Sequence, residues 1–248
     1  MKVIRPNCRA QFTSSDYEFI SSVLPAREEP SQSLFRLLRE PETLDGILDQ
    51  PRLFRAMLEL RNCLGVSLHF YFYVLVRHVL LREEIHDRDV ADYVAEVLAE
   101  FAMQRRLSNP DPNDDKPLAY MHEMLEAMDR LDEEDRFAMQ THIGNFALFH
   151  TGIFPGHLQR RMERRAAPGF RFYEEIGSAH FRMAGNHRLA RTMDMASIYL
   201  TLGQAFHVTR LALNHLSEKL VFLETNRAVK DLFSELDLPR ETKSGEGD

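Results

Sequence analysis

Cysteine is scarce in this chain, which has only Cys8 and Cys63 among its 248 residues. Two cysteines cannot form a disulfide framework, and these two lack the Cys-x-x-Cys or Cys/His spacing of a structural zinc site. A reducing compartment is therefore the simplest location, and the sequence predicts a cytoplasmic protein. The first thirty residues also lack the continuous apolar segment of a secretory signal peptide, which agrees with that location.

Long hydrophobic runs are also lacking. The most apolar segment, 66–81, is interrupted by His69, Arg77 and His78 and is shorter than the ~20 residues that a transmembrane helix needs. It therefore predicts a buried helix in a soluble protein that has no membrane span. The formal net charge of −7 disfavours nucleic acid and anionic membranes as partners.

Glycine and proline are few, with eleven of each, and they fall mostly between segments of helical periodicity. No segment alternates apolar and polar residues as a strand does, and no repeat of about 20 to 50 residues is visible. The predicted fold class is all-α, an irregular multi-helix bundle of about eight to ten helices. We expect a single domain over 1–238 and a flexible tail over 239–248. The charged, proline-containing stretch 107–117 predicts a loop or a subdomain boundary, and two packed halves divided there remain an alternative.

Capping residues and helix breakers place the individual helices along the chain. The segment 67–81 is the expected central helix, because it is apolar on almost all sides and longer than a typical strand. The other predicted helices are 14–24, 33–39, 43–48, 51–60, one from Asp87 or Asp89 to about Arg106, 118–131, 132–149, 157–165, 172–183, and a long region 187–236 divided at Gly203 or Thr225.

The common catalytic motifs are absent from the sequence. It contains no G-x-x-x-x-G-K-[ST], no G-x-G-x-x-G before a helix, no H-E-x-x-H and no G-x-S-x-G. Di-iron bundles repeat Glu-x-x-His on two helices, and here only Glu83-x-x-His86 fits. These absences favour a helical interaction or regulatory protein that is homo-oligomeric or binds a protein partner. They leave open whether the chain is an enzyme.

An alternative rests on the density of histidines and carboxylates between His142 and His215. Side chains from different helices could meet there and hold a metal ion or a small molecule, as in helical-bundle enzymes. One helix alone does not bring its histidines together, since His207 and His215 are eight residues apart and point about 80° apart around the helix axis. A metal ion is the one cofactor that the sequence leaves open. The candidate metal ligands are Glu174, Glu175, His180, Asp194 and His207.

A second alternative is an arginine-rich helix that binds an anionic ligand. Within 157–165, arginines recur at four-residue spacing, so a helix would present two adjacent rows of them. A phosphate-bearing ligand or an acidic protein surface would neutralise these rows, whereas nucleic acid is disfavoured because no aromatic residues are interleaved for base stacking. Pairing with acidic residues elsewhere in the chain would explain the same pattern. The candidate anion-binding residues are Arg160, Arg161, Arg164, Arg165 and Arg171.

Overall fold

The structure is a computed structural model. It describes residues 3–24, 40–59, 65–104, 121–156, 159 and 169–222, without the side chains of 103, 104 and 219–222. Within this part of the chain the fold is 83% helical, with eleven α-helices and no strand. The all-α, multi-helix prediction is therefore confirmed.

The helices mostly begin and end within a few residues of the predicted positions. The predicted helix 33–39, the stretch 107–117, the tail 239–248 and all of the predicted helix 157–165 except residue 159 lie outside the described residues. Two short 3-10 helices, Arg9–Gln11 and Met128–Arg130, accompany the α-helices. The α-helices of the described ranges are α1 (Ser14–Val23), α2 (Pro41–Leu48), α3 (Pro51–Glu59), α4 (Leu68–Arg82), α5 (Arg88–Gln104), α6 (Met121–Ala127), α7 (Glu133–Ile153), α8 (Phe170–Asn186), α9 (Arg188–Thr192), α10 (Ala196–Gln204) and α11 (Phe206–Phe222).

The predicted central helix is α4, and every residue from Phe70 to Leu80 is buried. Helices α3, α5 and α11 pack around it, which explains why its sequence is apolar on all sides. The Ser67 hydroxyl caps α4 by accepting a hydrogen bond from the backbone N–H of Phe70. Asp16, fully buried in α1, accepts from both the backbone N–H and the hydroxyl of Ser67. One carboxylate therefore joins the start of α4 to α1.

Two details of the C-terminal half differ from the prediction. Helix α7 continues to Ile153, past the predicted end at residue 149, which took the following Gly152 as a helix breaker. A Cβ atom at Gly152 would lie 2.9 Å from Leu213 Cβ, so this glycine permits close packing against α11 instead of ending the helix. Up to residue 222, where the description ends, the region after His187 is divided twice, at 193–195 and at Ala205, and so forms three helices.

The buried apolar side chains form one cluster, to which described residues on both sides of 107–117 contribute. The most extensive packing between described helices is that of α8 against α7 and α10. A Cβ atom at Gly177 of α8 would lie 2.5 Å from Phe206 Cε2 and 2.8 Å from Ala147 Cβ. A hydrogen at this position is what lets the helices approach each other so closely. Among the described helices, none is both long and apolar enough to cross a bilayer.

A candidate ligand cleft beside helix α5

One face of α5 carries three buried carboxylates, Asp92, Glu96 and Glu100. Their spacing of four residues places them in one row along the helix. Their exposed fractions are only 3%, 6% and 7%. Like charges at this spacing destabilise a helix, and burying them costs further free energy unless they are paired. The row therefore needs partners, and the N-terminal residues supply several of them.

The N-terminal strap, residues 3–11, is held against α5 by Asp92. The Asp92 carboxylate accepts from the backbone N–H of Cys8 at 2.7 Å and from that of Arg9 at 3.2 Å. The Arg9 guanidinium donates to the same carboxylate at 2.9 Å. Arg9 also contacts Asp45 at 3.4 Å and Asp89 at 2.8 Å. Asp92 thus receives both backbone and side-chain donors of the strap.

Glu96, one turn further along α5, binds the strap and a histidine. Its two carboxylate oxygens accept from Gln11 Nε2 at 3.3 and 3.4 Å, and His69 Nε2 lies 3.7 Å from Oε2. Burial raises the pKa of Glu96, and the nearby Glu100 and Asp92 reinforce this shift, while Cys8 and His69 oppose it. Burial also raises the pKa of the Cys8 thiol far above its usual range, so Cys8 is a neutral donor to Glu96. The charged form of Glu96 is costly here.

A cleft of about 820 Å³ opens beside the carboxylate row. Strap residues 3–7 form one wall, and Glu96 and Glu100 form its buried acidic part. The exposed Glu134 and Asp135, in the first turn of α7, line its edge. The volume falls within the range of about 300–1,000 Å³ that is typical of sites for small organic ligands.

The chemistry of the cleft is both acidic and apolar. Apolar side chains from α7 and from the α9 region line it, among them Phe137, Leu189 and Met193. Its described lining contains four carboxylates and a single cationic side chain, Arg5. Charges act more strongly in such a partly buried site than in water. The arrangement suits a molecule that has a positive charge and an apolar group.

Two of the sequence-predicted metal ligands, Glu174 and His207, are in contact, and an arginine binds the same carboxylate oxygen. Glu174 Oε1 lies 3.1 Å from His207 Nδ1, and Arg210 Nε donates to the same oxygen. Arg210 also donates to Asn214 Oδ1 at 2.6 Å, and Asn214 Nδ2 donates to the carbonyl of Thr151 at 2.7 Å. The guanidinium of Arg210 supplies the positive charge that a metal ion would bring to Glu174. The geometry is that of an ion pair joining α8 to α11.

The other three predicted ligands do not join Glu174 and His207. Glu175 pairs with Arg171 on the exposed side of α8, at 2.8 Å. His180 is buried, its Nδ1 lies 2.8 Å from the carbonyl of Ile176, and burial lowers its pKa. Asp194 is exposed, with a φ of 58° in the turn before α10. The described residues include no group of three or more His, Cys, Asp or Glu side chains that could hold a metal ion.

Of the five candidate anion-binding arginines, only Arg171 lies in the described part of the chain. The other four candidate residues, 160, 161, 164 and 165, lie outside the described residues. Arg171 is largely exposed, and its pairing with Glu175 four residues later is typical of a solvent-facing helix. Anion binding by this segment stays a prediction.

The carboxylate row on α5 was not among the sites predicted from the sequence. Its signal is visible in the sequence. Three acidic residues lie four apart in the segment 90–103, which is otherwise apolar apart from Tyr93 and contains no lysine or arginine. An amphipathic helix whose polar face lies in solvent has the same pattern. The polar face of α5 is buried, and not solvent-exposed, because the strap contacts it. Residues 3–11 show no periodicity that would predict this contact.

No protein-family model, no curated protein and no solved structure matches this chain. The fold and the site define it as an all-helical bundle with an acidic cleft of ligand size. Its function is therefore inferred from the geometry of that cleft alone.

Proposed function

We propose that this protein binds a small organic cation, a protonated amine with an apolar group, in the cleft beside α5. The observation that carries the proposal is the burial of Glu96 and Glu100 in the lining of a ligand-sized cleft. Buried carboxylates are concentrated at functional sites, and these two give the lining of the cleft a strongly acidic part. Because charges act strongly in a partly buried site, the two carboxylates would attract an ammonium group that is bound in the cleft.

An organic cation fits the cleft better than a metal ion does. The volume of about 820 Å³ far exceeds what one ion fills, and Phe137, Leu189 and Met193 offer apolar contacts that an ion cannot use. A metal site also needs several ligands that converge on one point, and the described residues provide no group of three. The apolar side chains would pack against the carbon skeleton of the ligand.

This proposal is closest to the small-molecule alternative from the sequence, but it places the site at the strap and α5 rather than in the C-terminal half. Self-association and a protein partner remain predictions. In the described ranges, Met183 is the one large apolar side chain that is exposed, at 51%, so no apolar patch there favours either of them.

The direct test compares two probes that differ in charge but hardly in shape, 2-phenylethylamine and 2-phenylethanol, by isothermal titration calorimetry at pH 7. We expect the amine to bind at least tenfold more tightly, because a hydrogen bond between charged groups contributes roughly 1.5–3 kcal/mol. Glu100→Gln should weaken amine binding by about tenfold and leave alcohol binding nearly unchanged.

The control variant is Glu218→Gln, which removes the same charge from an exposed position on α11, a helix that does not line the cleft. Its affinity for the amine should stay close to that of the wild-type protein. Equal binding of the amine and the alcohol would contradict the proposal, and so would equal effects of the two glutamate substitutions.

A further inference from the structure

The strap both lines the cleft and depends on the carboxylate row for its position. We propose that strap docking and ligand binding are coupled, with Asp92 as the residue that positions the strap. The inference rests on the proposed function and concerns how that site is controlled. Asp92 does not line the cleft itself, so its role differs from that of Glu96 and Glu100.

Chain continuity links the anchor of the strap to the wall that it forms. The wall consists of residues 3–7, and the anchored backbone amides are those of Cys8 and Arg9, directly after Asn7. The last three residues of the strap form the 3-10 helix Arg9–Gln11, which packs on α4. Releasing Cys8 and Arg9 would therefore displace the neighbouring wall of the cleft.

Glu96 supplies the second link between the strap and the ligand. It lines the cleft and accepts hydrogen bonds from Gln11. A cation bound beside Glu96 would favour its charged form, which is the better acceptor for the strap donors. Ligand binding and strap docking should therefore stabilise each other, as linkage requires of two events that favour the same state.

Asp92 can be compared directly with Asp89, which also binds Arg9. Asp92 is buried and accepts from three donors with its two oxygens. An asparagine amide would turn its NH₂ group toward at least one of those donors, whichever way it is oriented. Asp89 is 65% exposed at its side chain, so its contact with Arg9 should contribute little. Asp92→Asn and Asp89→Asn remove the same charge from the same helix.

Cys8 provides the reporter, because its side chain is fully buried while the strap is docked. Alkylation of its thiol by iodoacetamide requires release of the strap, and peptide mass spectrometry distinguishes Cys8 from Cys63. The rate would be measured in wild-type protein alone, with 2-phenylethylamine and with 2-phenylethanol, and then in the two aspartate variants without ligand. Urea unfolding of each protein separates local release of the strap from global unfolding.

We expect the amine at ten times its Kd to slow Cys8 alkylation by about tenfold, since it stabilises only the docked state. The alcohol at the same concentration should leave the rate nearly unchanged. Asp92→Asn should raise the rate at least tenfold, because it leaves a buried donor unsatisfied, whereas Asp89→Asn should change it by less than about threefold.

The measurements test three claims separately: that the amine binds, that its binding is coupled to strap docking, and that Asp92 positions the strap. If calorimetry shows amine binding but the amine does not slow alkylation, the coupling is overturned and the proposed function stands. If the amine does not bind, the proposed function and the coupling both fail. The comparison of Asp92→Asn with Asp89→Asn needs no ligand, so equal rates in these two variants would overturn the positioning role of Asp92 in either case.

Discussion

The buried carboxyl of Glu96 shows how one residue can lower the stability of this fold. Burial raises its pKa above the ordinary value of 4.5. Between that value and the raised one, the folded protein binds more protons than the unfolded chain. The free energy of unfolding therefore falls as the pH rises through this interval, and charged Glu96 is destabilising at neutral pH. Residues that lower stability in this way are typical of binding sites.

Glu96→Gln should raise the free energy of unfolding at pH 7, because the amide stays neutral and its oxygen can still accept from the strap. The advantage over the wild-type protein should shrink as the pH falls toward about 4.5, where the carboxyl is increasingly protonated in both states. Urea unfolding at pH values from about 4.5 to 7.5 measures this difference. The exposed control Glu218→Gln should show no such trend, and a Glu96→Gln variant less stable than wild type at pH 7 would contradict the account.

The residues of the site were harder to predict than the helices. The hydrogen bond from Cys8 to Asp92 joins residues 84 positions apart, and no local pattern records it. The sequence instead directed attention to Glu174 and His207, which do meet. The sequence could not show that Arg210 donates to the same Glu174 oxygen, because a pattern of residue types does not identify which side chains lie beside a carboxylate.

At the scale of the helices, much of the structure could be predicted because the signals are local. Asp132 caps α7 by accepting from the backbone N–H of Asp135, and Asp87 caps α5 in the same way through Asp89 and Val90. These contacts span three residues or fewer, so the sequence contains both partners side by side. The role of Gly152 depends on Leu213, on another helix, and the rule that glycine ends helices was therefore wrong there.

Two glycines inside helices should respond in opposite ways to the same substitution. Gly177→Ala should destabilise the protein by roughly 1–3 kcal/mol, because the new methyl group would overlap Phe206 and Ala147. Gly46→Ala should stabilise it by about 0.5–1 kcal/mol, because no atom lies within 4 Å of the new Cβ and alanine favours the helix. Urea unfolding measures both. Stabilisation of the protein by both substitutions would show that helix propensity outweighs packing at Gly177.

For the whole molecule, the net charge of −7 adds a long-range attraction for cations to the local contacts of the cleft. Raising the salt from ~10 to ~100 mM shortens the screening length from about 30 to about 10 Å. We expect binding of 2-phenylethylamine to weaken severalfold over this range, while binding of 2-phenylethanol stays constant. Calorimetry at the two salt concentrations tests this. An amine affinity that does not change with salt would show that exposed carboxylates such as Glu134 do not contribute to binding.

The burial of α4 has a consequence for how the protein is made. Helix α4 is apolar on all sides, and one of the helices that cover it is α11, the last helix in the described part of the chain. Synthesis proceeds from the N-terminus, so α4 leaves the ribosome long before α11 exists. During that interval the surface that α11 will occupy is exposed to other molecules. A chaperone that holds apolar segments would therefore find α4 an early substrate, and would have to release it only when residues up to 222 have emerged.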